Sequence, residues 1–201
     1  MSNLGGLDMY YLVTLTDIAF VPPDQIGDDP KKIAEQYLRT KYLGKFVSGA
    51  GLIVDIVGIE DVSLGKVFIS SPAVYFKARF RALSFLPKVQ EIIEGEIDKI
   101  VTHGAIVKVG PVDGFIHISQ LGDDVFIQRG GVLQGRKTKI TYRPGDKIRA
   151  RVTAVSKPDP TAPKRGEPII RIALSCRQPG LGKIEEEKEK RKEKKEEDKG
   201  G

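Results

Sequence analysis

Residues 95–121 read GEIDKIVTHGAIVKVGPVDGFIHISQL, and this run decides how the C-terminal half folds. It predicts three short strands, Gly95–Val101, Ala105–Val109 and Gly114–Ile118, with Thr102-His103-Gly104 and Gly110-Pro111 supplying the turn chemistry. A period of two assigns the faces. Val107, Val109, Ile116 and Ile118 fall on one side, and Lys108, Phe115 and His117 on the other. A small closed sheet needs one face for its core. The other then shows a cation, an aromatic ring and an imidazole, groups suited to stacking on unpaired bases and pairing with phosphates.

Downstream, 122–137 reads as a loop containing Gly130-Gly131 and Gly135, followed by the cations Arg136, Lys137, Lys139 and Arg143. A strand restarts at Gly145-Asp146, with Ile148, Ala150 and Val152 facing one way and Arg149 and Arg151 the other. Lys157–Pro168 holds four prolines and is expected to be an exposed extended loop. Ile169–Ser175 closes the sheet with Ile170, Ile172 and Leu174 inward, and five strands at this spacing fit an OB barrel. The run resembles the ribosomal-protein-S-one type of that fold, an RNA-binding barrel. The residues that carry the resemblance are Gly104, the alternation Ala105–Val109, and Gly114-Phe115-Ile116-His117-Ile118-Ser119. It departs from the family at Ile106, where an aromatic is common, so one stacking platform is expected to be missing.

Upstream of the barrel the chain changes character. Met9–Val21 is rich in β-branched and aromatic residues and reads as a strand ended by Pro22-Pro23. Asp29 caps a helix with Pro30 at its first position, an apolar stripe of Ile33, Ala34, Tyr37 and Leu38, and Gly44 at its end. Lys45–Gly51 reads as a glycine-bearing loop with an apolar Phe46-Val47 tip. Strands are expected over Leu52–Val62, Val67–Ser70 and Ala73–Phe85. In the last, Phe76, Ala78 and Phe80 share one face and Tyr75, Lys77, Arg79 and Arg81 the other. Leu83 and Phe85 continue that outer face with apolar groups, which requires either a bulge or a cover. The fold class is therefore an α+β unit over 9–86, one helix on an antiparallel sheet, then an all-β five-stranded OB barrel over 87–181, then a Lys/Glu-rich tail over 182–201 that is disordered or a fraying helix. Met9 is a candidate natural start, with 1–8 preceding it.

The net charge of +6 is unevenly spread. Nine cations face nine carboxylates up to Leu86, and the tail from Gly182 carries eight of each. The barrel segment, with 16 cations and 10 carboxylates, holds the whole excess, so it is the part expected to meet a polyanion. Cys176 is the one cysteine, which points to a reducing, cytoplasmic setting; no apolar run is long enough to span a bilayer. The inventory argues against an enzyme. His103 and His117 are the only histidines, and no phosphate loop or nucleophile elbow is present. Asp123-Asp124, the best carboxylate pair, lacks a third ligand nearby, so neither metal nor cofactor is expected.

Taken together, the MYYLV opening, the Pro22-Pro23 loop, the Asp-Pro-capped helix, GKFVSGAGLIVDI and the Tyr75–Arg81 strand resemble the E-prime stalk component of archaeal RNA polymerase over about Met9–Leu181. The resemblance implies a truncated-RNP tip domain that docks on the polymerase core. Pro22, Pro23, Ile26, Gly27, Lys45, Phe46 and Val47 are the matching positions. It implies a heterodimer with a smaller helical stalk component, F, with Leu83 and Phe85 as the candidate contacts. It also implies contact of the barrel with nascent single-stranded RNA through Lys108, Phe115, His117, Arg136, Lys137, Lys139, Arg143, Arg149 and Arg151. The chain would be a non-catalytic accessory to a nucleotidyltransferase. The competing reading is a free-standing RNA-binding adaptor of an exosome or translation complex.

Overall fold

A computed structural model describes residues 2–3, 9–21, 29–68, 71–156 and 170–184. The chain divides into two compact units, Met1–Leu86 and Pro87–Gly201. In the first, β1 (Ser2–Asn3), β2 (Tyr10–Val21), α1 (Pro30–Tyr42), β3 (Phe46–Val47), β4 (Gly51–Val62), β5 (Lys66–Phe68) and β6 (Ser71–Phe85) follow one another. The strands form one antiparallel sheet in the order β1-β2-β6-β4-β3, with β5 beside β6. Helix α1 begins where the sequence places it: Asp29 Oδ1 accepts the Lys31 N–H at 3.0 Å and Pro30 opens the first turn. It ends at Leu43, and Gly44 takes φ +71°, which a side chain would resist. Ala34 and Leu38 are its buried residues, and they share a core with Val13, Ile53, Ile56 and Phe80. Phe80 is fully buried with its ring 5.5 Å from Tyr42. Burying each such side chain is worth about 1.5–3 kcal/mol.

Strand β4 does not alternate. Its core residues Ile53, Ile56, Ile59 and Val62 recur every third position, because the pairing with β6 shifts register between Ile53 and Asp55, Ile56 and Gly58, and Ile59 and Asp61. Each bulge inserts one extra residue and leaves backbone groups off the ladder. At the second, side chains take up those groups. The Ile56 carbonyl accepts Arg39 Nη2 at 2.7 Å, the Ile56 N–H donates to Asp55 Oδ1 at 2.8 Å, and Arg39 also bonds Asp55. Helix and sheet are joined again where Lys41 and the Tyr42 hydroxyl both bond Asp17. Burial pushes the Asp17 carboxyl up, and those hydrogen bonds more than offset it, so it ends below the usual carboxylate range.

The structure corrects the first unit in three places. Strand β6 pairs with β2 without a break from Val21–Val74 to Tyr10–Phe85, so β6 itself carries no bulge there; the irregularities belong to β4, the first of them opposite Ser84 and Leu83. Phe85 is fully buried with its ring edge-on to Tyr10 at 5.2 Å, so it is a packing residue and not an exposed contact; Leu83 stays half-buried. Lys45–Gly51 is a hairpin and not a loop: Phe46 and Val47 pair with Leu52 and Gly51, and Val47 packs against the core. Pro22, Pro23, Ile26 and Gly27 lie outside the described residues.

In the second unit, β7 (Ile92–Val101), β8 (Gly104–Val109) and β9 (Val112–His117) form a meander that ends in a 3-10 turn, Ile118–Gln120. Next come β10 (Phe126–Arg129), β11 (Val132–Gly135), β12 (Thr141–Tyr142), β13 (Lys147–Ser156), β14 (Arg171–Ser175) and β15 (Gly182–Lys183). Pairing runs β14-β9-β8-β7-β13 and closes through β13–β14, which makes a five-stranded barrel with β9 and β14 parallel. Ile97, Val107, Val109, Ile116, Ile148, Ala150, Val152, Ile172 and Leu174 fill it, the face that alternation assigns. Three readings change here. Ile118 belongs to the turn rather than the strand. The stretch 122–137 is not a plain loop. Gly130 and Gly131, at φ +55° and +77°, turn a hairpin of β10 and β11, which buries Phe126 and Leu133. Gly182 and Lys183, expected in the tail, pair with Arg149 and Ile148. The loop 157–168 and the rest of the tail lie outside the described residues, which end at 184.

Candidate nucleic-acid interface

Register places the candidate side chains on the outside of the barrel in rows. Across β8 and β9, Lys108 faces Asp113, Ile106 faces Phe115, and Gly104 faces His117. Phe115 is 39% exposed, although it sits on a strand, because it points away from the filled interior. Its ring lies 6.5 Å from that of His117, edge to face. Ile106 stands where a second ring would extend the platform. Lys108, Phe115 and His117 are therefore brought together.

The other cations fall into two groups. Arg149 and Arg151 stand on β13, separated from β8 by β7, which places Glu94 and Glu96 between them. Glu94 takes up Arg149 through Nη2 at 2.8 Å and Nε at 3.1 Å. Arg151 leans on Gln90 through Nη1 at 3.3–3.4 Å. Lys108 is paired as well, 2.7 Å from Asp98; that hydrogen bond raises the ammonium and lowers the carboxyl. A phosphate that reaches Lys108 or Arg149 must displace a carboxylate, and at Arg151 it must displace Gln90. Arg136, Lys137, Lys139 and Arg143 differ: all four are exposed, and none has a carboxylate partner among the described residues.

Asp124 fastens the loop that carries Lys137 beside Arg136 and Lys139, while the Arg143 N–H donates to Asp146 Oδ2 at 2.7 Å. The Asp124 carboxylate accepts the Val125 N–H at 2.6 Å, the Lys137 N–H at 3.0 Å, and both the Thr138 N–H and hydroxyl at 2.8 Å. These bonds, the Thr138 N–H first, hold its carboxyl down to about 2. Gly135 is required beside it, since a Cβ there would lie 2.5 Å from Asp124 Oδ2. Asp123 faces out and pairs with Arg177 at 3.1 Å. The pair is a loop fastener and a surface ion pair, and no cluster of three metal-type ligands exists among the described residues.

The Asp124 tie has a pH signature. A carboxyl held below its unfolded value of 3.8 stabilises fully above that pH and loses its contribution as pH falls through about 2. The Lys137 and Thr138 amides are expected to stay protected from exchange at pH 5 and to lose protection between about pH 4 and pH 2. Asp124→Asn is expected to weaken that protection at neutral pH. Protection unchanged by pH or by the substitution would remove Asp124 as the fastener.

Sequence reasoning named Ser119 only as part of the family motif, with no role of its own, and passed over Asp98 and Glu94. Ser119 Oγ lies 2.8 Å from His117 Nδ1, and the Ser119 N–H donates to the same nitrogen at 3.3 Å, so His117 caps the 3-10 turn. The Ser two positions after His was the available signal. Cys176 is buried with its thiol pushed up to about 12, the condition of an unreactive core thiol. No helix among the described residues is long and apolar enough to cross a membrane.

Residues 86–159 match the S1 RNA binding domain family, and residues 16–72 match the SHS2 domain found in the N terminus of Rpb7p/Rpc25p/MJ0397. The chain is 36% identical over 179 residues to the DNA-directed RNA polymerase subunit Rpo7 of Saccharolobus shibatae, which covers 88% of this chain and 96% of that one. It is 26% identical to the DNA-directed RNA polymerase III subunit RPC8 of Saccharomyces cerevisiae, over 90% of each. The small ribosomal subunit protein bS1 homolog of Bacillus cereus matches at 36% identity over 46% of this chain and 25% of its own length.

Proposed function

Because this chain belongs to the family of the DNA-directed RNA polymerase subunit Rpo7, we propose that it is the stalk subunit of an archaeal polymerase and has no catalytic activity of its own. In this reading the N-terminal unit docks on the polymerase core, the chain pairs with the smaller stalk component F, and the barrel contacts nascent single-stranded RNA in the cytoplasm. The observation that carries it is that the similarity to a polymerase subunit runs through both units, whereas the likeness to a ribosomal protein covers under half of the chain. A free-standing adaptor of an exosome or translation complex would need only the barrel.

The side chains support each part. The barrel offers an exposed ring, an imidazole and four cations that no carboxylate holds among the described residues. Cations give affinity that falls with salt, and rings stack on any base, so binding is expected to discriminate little between sequences. The N-terminal unit exposes Ile18 at 58% and Leu64 at 92%, and both line an open groove of about 800 Å³ with Tyr75 and Phe76. Exposed apolar groups gathered in this way favour a protein partner. Lys45, exposed, and Phe46, half-buried, stand at the other end of the sheet, beside Leu52, as separate docking candidates; half-buried Leu83 is the remaining candidate for contact with the smaller stalk component.

The test is capture of the full chain from an archaeal lysate, followed by native mass spectrometry. A one-to-one small partner together with the large polymerase subunits is the expected result. Exosome or ribosomal components in their place would overturn the stalk assignment and leave the barrel reading standing.

A further inference from the structure

We propose that Ser119 is a positioning residue for the RNA face: it fixes the His117 imidazole as the neutral tautomer with its proton on Nε2, so that His117 meets RNA as a hydrogen-bond donor to an acceptor oxygen. This rests on the RNA-binding reading of the barrel. A backbone N–H can only donate, and the Ser119 N–H is aimed at His117 Nδ1 from 3.3 Å. That nitrogen must therefore present its lone pair. Ser119 Oγ, 2.8 Å from the same nitrogen, turns its hydroxyl hydrogen toward it. With Nδ1 accepting, the proton of a neutral imidazole belongs on Nε2. The 3-10 turn holds Ser119 in place, and the Ile118 N–H anchors that turn to the His103 carbonyl at 2.8 Å.

Access to the ring is built in. The residue across from His117 is Gly104, and a Cβ there would come within 2.0 Å of the Ile116 carbonyl oxygen. No side chain can occupy that place, so the imidazole stays uncovered on the β8 side. A nucleotide stacked on Phe115, whose ring centre is 6.5 Å away, brings its oxygens to the imidazole edge. Those oxygens belong to a base carbonyl or to the ribose-phosphate backbone.

The experiment is long-range nitrogen-15 NMR of the full-length chain, with titration of a short oligouridylate and of the same backbone without bases. The wild-type His117 ring is expected to show the Nε2–H pattern. Ser119→Ala removes the shorter bond at 2.8 Å and leaves Nδ1 only the longer 3.3 Å contact with the backbone N–H, so it is expected to let the tautomers mix and weaken oligouridylate binding about fivefold, the worth of one hydrogen bond, and Ser119→Thr to restore both. A purely packing role would shift thermal stability and leave the nitrogen pattern alone. A Ser119→Ala penalty on oligouridylate only assigns the base carbonyl as acceptor; a penalty on both ligands assigns the backbone. A wild-type ring protonated on Nδ1 overturns the inference without recourse to any variant. So does Ser119→Ala binding as tightly as wild type while His117→Ala binds weakly. His117→Ala without effect would overturn the RNA role of this face of the barrel, on which the inference rests.

Discussion

Gly104→Ala is expected to destabilise the barrel by about 3 kcal/mol, the upper part of the usual range for overpacking. The smallest side chain suffices. Its one added carbon would sit 2.0 Å from the Ile116 carbonyl oxygen and 3.0 Å from the carbon that bears it. A flexible side chain could swing away from such a contact; a carbonyl within the β8–β9 ladder cannot. Relief therefore requires β8 to lift from β9 at its first residue, which opens the row occupied by Gly104 and His117. Urea unfolding followed on amides of the barrel should show a lower midpoint at unchanged slope. The same measurement on amides of the N-terminal sheet serves as the internal control. An unshifted barrel midpoint would mean that the two strands do not approach as closely as described.

The second large effect concerns binding rather than stability. Phe115→Ala with His117→Ala is expected to weaken single-stranded RNA binding by about 2–4 kcal/mol, or roughly 30- to 1000-fold in Kd. Loss of the ring removes one stacking surface, worth about 1–3 kcal/mol per base, and loss of the imidazole removes about one hydrogen bond. Both side chains stand outside the filled barrel, so the melting temperature should move little. The salt dependence separates this from a charge effect. The slope of log Kd against log salt reports the cations, and the phenyl ring is not one, so Phe115→Ala alone should leave it constant. A fall in slope, or unchanged affinity, would place RNA binding elsewhere, with Arg136, Lys137, Lys139 and Arg143 as the first alternative.

How far the sequence could be read depended on whether the deciding interaction was local. The barrel strands were legible because Val107, Val109 and Ile116 recur at every second position along short strands bounded by turn residues. The cap of α1 was legible because Asp29 and Pro30 act on the next turn of chain. The hairpin of β10 and β11 escaped notice because its two glycines also fit a loop; only Phe126 and Leu133 closing on Tyr142 distinguish it. The counter-ions of Lys108 and Arg149 went unread because alternation along a single strand does not show which carboxylate of a neighbouring strand lies beside it. Their carboxylates, Asp98 and Glu94, lie on β7, and Glu94 is 55 residues from Arg149. Phe85 looked stranded on a polar face because its cover, Tyr10, comes from the far end of the unit. Folding in the third dimension decided each of these, and periodicity carries no trace of it.

The third-residue spacing of Ile53, Ile56, Ile59 and Val62 makes the apolar pattern of β4 translationally degenerate. Sliding the strand by three places lays isoleucine upon isoleucine, so burial alone leaves several alignments nearly equal in energy, unlike an ordinary strand, where a slip by one residue reverses every side chain. What lifts the degeneracy is specific and small. A slide by three would put Gly58 in the place of Asp55 and leave the Arg39 guanidinium without the carboxylate it holds beside the Ile56 carbonyl. Gly51 must lie beneath the Phe85 carbonyl, where a Cβ would come within 2.6 Å of the oxygen. Greasy residues make this strand adhere, and one cation and one missing side chain act as the key and keyway that choose where it stops.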